Sequence, residues 1–469
     1  MKKIPTLHLL FLISFFYVSN AISQAVGVGT NAPASSSIID IQSTAKGALL
    51  PRMTTMQRKA IVGPVTGLMV FDLDKQAIYI YDGAKWGALL MTYSDSRLPG
   101  IPQEASDGAA DDQFGYTVSI TGNYAIIGAY KKDVSGNPNQ GGAYIFFRNN
   151  SVWTQQAILS SSDGAAEDYF GGSVDMGTNA DYAIVGARQA TVGANAQQGA
   201  AYIFSRSGST WTQLAKLTAS DGAAGNLFGC SVSLDGDYAV IGSTGAGAAY
   251  VFYRGGGWMS GQSFQAKLAP TGGMSAAFGF DVSISVDQLI VGSPFASSFN
   301  GACSIYARMG TVWTLQSVNS GSAVSQFGTS VSIDGDYATS SMPGFNSSKG
   351  SVLVYFKGTG WTNNQTAQAT LTAQDGVNGD YFGNDISLSA DQLLIGAYQH
   401  DLTLNGNQGA AYLFKRSNTT WSFQRKSIDE SAQFGENFGS AVGISGFNMI
   451  FGIPLKNNTK GEIQMINIE

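Results

Sequence analysis

The sequence predicts an all-β chain: a seven-bladed β-propeller of four-stranded antiparallel blades, preceded by a small N-terminal module. Three observations predict it. Phe-Gly recurs at Phe114, Phe170, Phe228, Phe278, Phe327, Phe382 and Phe438, at intervals averaging 54 residues, and seven such periods fill residues 91–469. Each period repeats one internal order of alternating strand, tight turn and strand, which marks an array of like units. Of the 469 residues, 59 are Gly, 11% are aromatic and only 12% are charged. That balance is too apolar for disorder and too poor in charge for surface helices laced with ion pairs.

The first element is an export signal. Lys2 and Lys3 precede a mostly apolar run over residues 9–18, which the small residues Ser19, Ala21 and Ser23 follow. A basic start, a short apolar core and a small-residue exit define a secretory signal peptide. The run is about half the ~20 residues that a membrane-spanning helix needs. Residues 1–23 are therefore expected to be removed, leaving no transmembrane helix and a secreted or cell-surface product.

Residues 24–90 form the next segment. A helix is predicted over residues 54–60 with Thr54 or Thr55 as N-cap. Strands at 68–71 and 77–81 flank a polar turn and predict a β-hairpin. The stretch from Gly27-Val28-Gly29-Thr30 through Leu50-Pro51-Arg52-Met53 to Asp82-Gly83-Ala84-Lys85-Trp86 resembles a segment near the start of many exported bacterial surface and tail-fibre-like proteins. The resemblance implies a surface context, so the segment reads as an attachment or spacer module.

The third copy of the repeat shows how residues 91–469 build a blade. Residues 228–234 alternate as a first strand, Asp235-Gly236 is a tight-turn signal, residues 238–242 make the second strand and 247–252 the third. The fourth is expected to start at Trp258 and reach Leu268. Trp153, Trp211, Trp313, Trp361 and Trp421 open the fourth strand of other copies. Four antiparallel strands at this period are a propeller blade, and no blade can bury both faces alone, so neighbours must stack. A parallel β-helix would need shorter coils than the Asp-Gly hairpins allow. Each repeated Phe is expected to wedge between blades. Gly128, Gly186, Gly242, Gly292, Gly396 and Gly452 are expected to permit close backbone approach. The Trp series, recurring in nearly every copy, reads as core packing.

Phe-Gly, then Gly-Ala-Tyr, Gly-Ser-Pro or Gly-Ile-Pro about 13 residues on, then Gly-Ala-Ala-Tyr-Val-Phe, resembles the FG-GAP repeat. That family includes the seven-bladed propeller of integrin α subunits and many bacterial exported proteins. Copy five departs from the pattern, with Ser341-Met342-Pro343 in place of Gly-Ala-Pro. The integrin type often carries a D-x-D-x-D-G-x-x-D calcium loop between its first two strands. Here that loop is only Asp235-Gly236-Asp237, Asp334-Gly335-Asp336 or Ser285-Val286-Asp287. Such turns fall short of the six to eight oxygens that calcium takes, so no cofactor or metal is expected and calcium finds no support in the loop motifs.

The last copy ends on a third strand near residues 461–466 with no fourth behind it. Residues 98–106 are the spare strand expected to close the ring and remove an exposed edge, although Pro99 and Pro102 cannot donate to a ladder.

Formal net charge is −6, which argues against nucleic acid as a partner. Links between second and third strands, and links between blades, should share one face, where they are longer than the turns opposite. That face is the candidate binding surface, and its carboxylates Asp107, Asp111, Asp112, Asp133, Asp163, Asp168, Asp375, Asp380 and Asp401 are the candidate ligand-binding residues. The competing reading is that Asp-Gly is turn chemistry that also keeps the face soluble. Only His8 and His400 and only Cys230 and Cys303 occur, which excludes a multi-His metal site; buried free thiols are expected rather than a bridge. His400 lies in a polar loop and is expected to be exposed. No catalytic residue is assigned, because acids recur copy after copy whereas catalysis needs a few distinct groups.

The chain is therefore expected to be a non-enzymatic exported or cell-surface adhesion protein that holds an extracellular protein or glycan on the long-loop face. A polysaccharide-acting enzyme on the same scaffold and a purely structural surface component are the alternatives. A distinct carboxylate pair in the pore would favour the enzyme.

Overall fold

A computed structural model describes residues 26–28, 39–41, 49–74, 77–89, 100–150, 152–270, 276–322, 324–402 and 406–468. The export signal expected over residues 1–23 lies outside them. The chain divides into two compact units, Met1–Thr92 and Tyr93–Glu469. Among the described residues no helix is long and apolar enough to cross a membrane.

In the first unit, Val26–Val28 pairs in parallel with Ile39–Ile41. A separate sheet runs Arg52–Met53, Met69–Asp72, Ala77–Tyr81 and Trp86–Leu89, its first pair parallel. The predicted hairpin is the middle pair. The predicted helix is Thr55–Lys59, where the Thr54 hydroxyl accepts from the Gln57 N–H and the Gln57 amide oxygen accepts from the Thr54 N–H, a capping box. Arg58, buried on this helix, donates to the buried Asp72 at 2.8 Å and lies 3.7 Å over the Tyr79 ring.

The second unit is seven four-stranded sheets. Blade 1 comprises Thr117–Thr121, Tyr124–Ala129, Gly142–Asn149 and Val152–Leu159. The first strands of the remaining blades are Phe170–Met176, Phe228–Asp235, Val282–Ser285, Val331–Asp334, Ile386–Ser389 and Val442–Ser445. These first strands line a central channel of about 1210 Å³, so each meander runs from the centre outwards.

Blade 7 takes its first three strands from Val442–Ser445, Asn448–Ile453 and Glu462–Asn467, and its fourth from Ile101–Gln103. Met465 pairs with Ile101 and Ile463 with Gln103. The ring thus closes between the two ends of the array, inside the segment expected to do so. Pro102 is tolerated because this is the outermost strand of its blade, where a missing donor can face away from the ladder.

Blades join through the repeated Phe-Gly. Phe114, Phe170, Phe228, Phe278, Phe327, Phe382 and Phe438 are all fully buried. Phe170 packs in one cluster with Ile126, Ala143 and Ile145 of blade 1 and with Tyr202 and Phe204 of its own blade. Its backbone bridges Gly141 of blade 1, and Phe114 bridges Gly461 of blade 7 in the same way. Full burial of such a ring is worth about 1.5–3 kcal/mol. Trp153, Trp258, Trp313, Trp361 and Trp421 are buried.

The fourth strand of blade 3 differs from expectation. It is only Ala266–Leu268, and the chain from Trp258 turns through Met259–Gln262 before reaching it. The preceding Gly255, Gly256 and Gly257 give the chain the freedom to leave the ladder early, Gly257 at φ 148. Blade 5 does the same with Ala369–Leu371. Both cysteines are free, Cys303 buried and Cys230 half-buried on the channel wall.

Candidate functional site

Six of the nine acidic loop residues fall into two sets with intramolecular duties. The aspartate of the Asp-Gly turn entering a blade is pinned to that blade by a tyrosine and a cation. Asp107 accepts from the Tyr144 hydroxyl at 2.8 Å and pairs with Lys132 at 3.1 Å. Asp163 accepts from Tyr202 and Lys216 at 3.0 and 2.6 Å. Asp375 accepts from Tyr412 and Lys426 at 2.9 and 2.6 Å. Burial raises these carboxyls, but the hydroxyl and ammonium partners outweigh it and hold all three below the ordinary aspartate value.

The second set caps the same turns from within. Asp112, Asp168 and Asp380 are buried and accept from the N–H of Ala109, Ala165 and Val377 at 2.9, 2.8 and 2.8 Å. Burial pushes the carboxyls of Asp112 and Asp168 up. Asp133 and Asp401 are exposed and accept from the N–H of Asn139 and Asn407 at 2.9 and 2.7 Å, tightening the second-to-third-strand loops. Asp111 is exposed, at φ 71, and accepts from Thr459 of blade 7. The nine aspartates therefore share the long-loop end of the propeller without converging on one point.

His400 is buried, not exposed as its loop polarity suggests. Its Nδ1 lies 2.8 Å from Asp380 and its Nε2 2.7 Å from the Lys426 ammonium. The loop folds back onto its blade because the backbone brackets it, with the Gly409 N–H on the His400 carbonyl at 2.9 Å. Polar sequence marked a buried ion network rather than a solvated loop.

The channel holds carboxylates that no repeat position announced. Asp175, Asp281 and Asp385 stand on its wall, partly open to the channel but deep in the protein. Each staples neighbouring blades. Asp281 accepts from the N–H groups of Val282 and Val331 at 2.9 and 2.8 Å, and Asp385 from those of Ile386 and Val442 at 3.0 and 2.7 Å. Asp175 accepts from Met176, from Leu234 and from the Ser119 hydroxyl at 2.9, 2.7 and 2.7 Å. Desolvation pushes Asp175 up to about 6 and Asp385 up to about 7, and raises Asp281 as well. Ser231, Ser233, Ser283, Ser332 and Ser387 act alike, each accepting a backbone N–H from the next blade at 3.0–3.2 Å. The turn aspartates do the same: Asp235 accepts from Val286 at 2.6 Å and Asp334 from Ala390 at 2.7 Å. Among the described residues, no group of three or more His, Cys, Asp or Glu is placed to hold a metal ion.

Where the channel opens on the long-loop face, aromatic side chains gather. Tyr116 and Tyr130 of blade 1 have ring centroids 4.1 Å apart, and Tyr130 meets Tyr169 of blade 2 edge-on at 5.4 Å. The Arg188 guanidinium lies 6.0 Å from the Tyr130 centroid and 5.8 Å from that of Tyr169. In blade 6, Tyr381 and Tyr398 are 5.6 Å apart. In blade 4, Phe280 and Phe295 are 5.7 Å apart, and both are exposed. All follow or precede a Phe-Gly, or end a second strand, which is why they share one end of the ring. Sequence reading passed over them because each belongs to a motif whose neighbouring residues are structural.

The FG-GAP repeat model matches residues 104–146, 153–204, 211–252 and 365–414. With the blades described above, this defines a repeat β-propeller of the surface type. The chain is an FG-GAP repeat protein. A second model, the phage tail like trimerisation region, matches residues 27–100. No curated protein matches the chain.

Proposed function

We propose that the chain is an exported, non-enzymatic binding protein that holds a protein or glycan on the long-loop face of its propeller. One observation carries the reading: on this face the acids are engaged in holding the loops, while the aromatic rings around the channel mouth stay half-buried or exposed. Loops fixed by ion pairs on a rigid ring are a preorganised surface, and preorganisation lowers the entropic cost of binding. The similarity of residues 27–100 to a phage tail like trimerisation region supports presentation of three propellers together, which would raise avidity by making the later contacts intramolecular.

The Asp281–Asp385 pair in the channel favours a second reading, a polysaccharide-acting enzyme. Against it, all four carboxylate oxygens accept a backbone N–H, which is how staples are used. The test is an array of glycans and surface proteins probed with the full chain in a Cys230→Ser background. Bulky maleimide adducts are placed either at Asp133→Cys and Asp401→Cys or at Asn123→Cys on the opposite face. A specific hit blocked only from the long-loop face is expected. A blank array, or blocking only from the opposite face, overturns the reading, and turnover of a bound glycan establishes the enzyme.

A further inference from the structure

We propose that the cluster of Tyr130, Arg188 and Tyr169 at the channel mouth binds a carboxylated saccharide. The inference rests on the binding reading above and names its ligand class and its site. Three physical facts point to it. First, the charge there is of the wrong sign for the rest of the chain. The formal net charge is −6, and the lysines beside Asp107, Asp163, Asp221, Asp375 and Asp429 are all paired. Arg188 is half-buried, lines the channel, and has no carboxylate partner among the described residues. Lys131 adds a second cation 5.6 Å from the Tyr130 centroid. The nearby Glu167 is committed elsewhere, accepting from Asn139 at 2.9 Å and from the Tyr169 hydroxyl.

Second, the guanidinium is flanked by two tyrosine rings rather than bonded to them, so its planar fork of N–H donors stays available for a bidentate carboxylate. Third, the phenol groups of Tyr116 and Tyr130 make no hydrogen bond within the described chain, and burial pushes Tyr130 up to about 12. Both hydroxyls are donors and acceptors set beside an aromatic face. A pyranose ring needs that combination, with its C–H face on a ring and its hydroxyls on polar edges. Gln113 and Gln189, next to Tyr116 and Arg188, line the same part of the channel with amides, which suits a polyhydroxylated ligand better than apolar peptide side chains. Arg188 takes the carboxylate, Tyr130 and Tyr169 take the ring, and Tyr381 with Tyr398 offers a second ring platform on the same rim.

The test is calorimetric titration of the full chain with two acid–neutral pairs: trigalacturonate against its methyl ester, and sialyllactose against lactose. The acidic member of at least one pair is expected to bind about tenfold or more tightly than its neutral partner, the size of one good charged contact. Arg188→Gln should remove that preference, Arg188→Lys should keep part of it, and Tyr130→Ala should weaken both members. Melting of Arg188→Gln should match the unaltered chain, since Arg188 makes no hydrogen bond or ion pair among the described residues. Equal affinity for acid and neutral forms, full affinity in Arg188→Gln, or no binding to either pair overturns this inference. The array and the blocking adducts decide separately whether the long-loop face binds anything. A hit there that ignores Arg188→Gln leaves the broader reading standing and removes this one.

Discussion

Asp281 and Asp385, which immediately precede the first strands of blades 4 and 6, share one hydroxyl: Ser330 of blade 5 lies 3.1 Å from the first carboxylate and 3.3 Å from the second. A hydroxyl carries one proton and can donate to one of them at a time. The Ser330 oxygen also accepts from the Ile386 N–H at 3.2 Å. Desolvation first, and then the charge of Asp281, raises Asp385 to about 7. A proton held on this pair relieves both burdens.

That arrangement gives stability a pH dependence of definite sign. The folded value of Asp385 lies above the ordinary aspartate value near 4, so the folded chain holds a proton that the unfolded chain has released. This contribution should therefore fall as pH rises from about 4 through about 7, with Asp175, raised to about 6, acting in the lower part of that window. The lowered carboxyls Asp107, Asp163 and Asp375 act oppositely and lose their stabilisation as pH drops towards and below 4. Thermal melts should peak near pH 5 and decline by pH 8, and Asp385→Asn should flatten the decline. A decline of the same slope in Asp385→Asn would remove the pair as its cause.

The His400 network predicts a repair as well as a loss. Lys426 sits opposite Tyr412 on the fourth strand of blade 6, as Lys216 sits opposite Tyr202 and Lys267 opposite Tyr250. Blade 1 has Ile158 opposite Tyr144 and takes its cation from Lys132 in the loop, at 3.1 Å from Asp107 and 3.7 Å from Asp112. His400 occupies the loop position of Lys132. His400→Ala should cost about 1–3 kcal/mol, because it strips a hydrogen bond from the buried Asp380. His400→Lys combined with Lys426→Ile recreates the blade 1 arrangement and should recover most of that loss in chemical denaturation. Failure to recover would mean that the two blades hold their loops differently.

Much of this architecture was legible in the residues. Phe-Gly fixed the period, and the third strand near residue 463 with none after it required a partner from residues 98–106. The staples were not legible, for a physical reason. Asp281 and Asp385 share the position three after their Phe, but the other copies have Thr117, Ser173, Ser231, Ser330 and Ala441 there, and Asp175 follows Phe170 by five, so no column of carboxylates marks all three. They become a set only when first strands of different blades stand side by side. His400 misled for a related reason: loop polarity was read as solvent contact, although the partners Asp375, Asp380 and Lys426 come from other parts of the same blade.

Ring closure yields a truncation series. Chains starting at residue 93 keep Ile101–Gln103 and its pairing with Ile463–Met465; chains starting at residue 107 lose both. The second truncation also removes Ala105 from the cluster in which Ile463 and Met465 pack against blade 1. A sharp drop in melting temperature and concentration-dependent association through the freed edge are expected only for the shorter chain. Equal melting of the two would show that blade 7 is stable with three strands.

The glycine one residue before the end of the second strand, present in six of the seven blades, permits a last prediction with an internal control. A Cβ on Gly242 would stand 2.0 Å from the Gly279 carbonyl oxygen of the next blade, and one on Gly128, Gly292 or Gly452 would stand 2.0–2.1 Å from the corresponding oxygen. Backbone atoms cannot yield as a flexible side chain can, so Gly242→Ala must push blades 3 and 4 apart. Overpacking of this kind costs about 1–3 kcal/mol or more. Blade 5 has Ser341 at this position: the Gly328 N–H donates to the Ser341 carbonyl as the Gly279 N–H donates to Gly292. Its side chain is buried and its hydroxyl accepts from the Ser330 N–H at 2.9 Å. The seam between blades 5 and 6 therefore accommodates one Cβ, so Ser341→Ala should cost only about 1 kcal/mol, the lost hydrogen bond. Denaturant midpoints of Gly242→Ala, Gly292→Ala and Ser341→Ala decide the matter. Similar small losses in all three would mean that the seams flex, and that the glycines are kept for backbone freedom rather than for close approach.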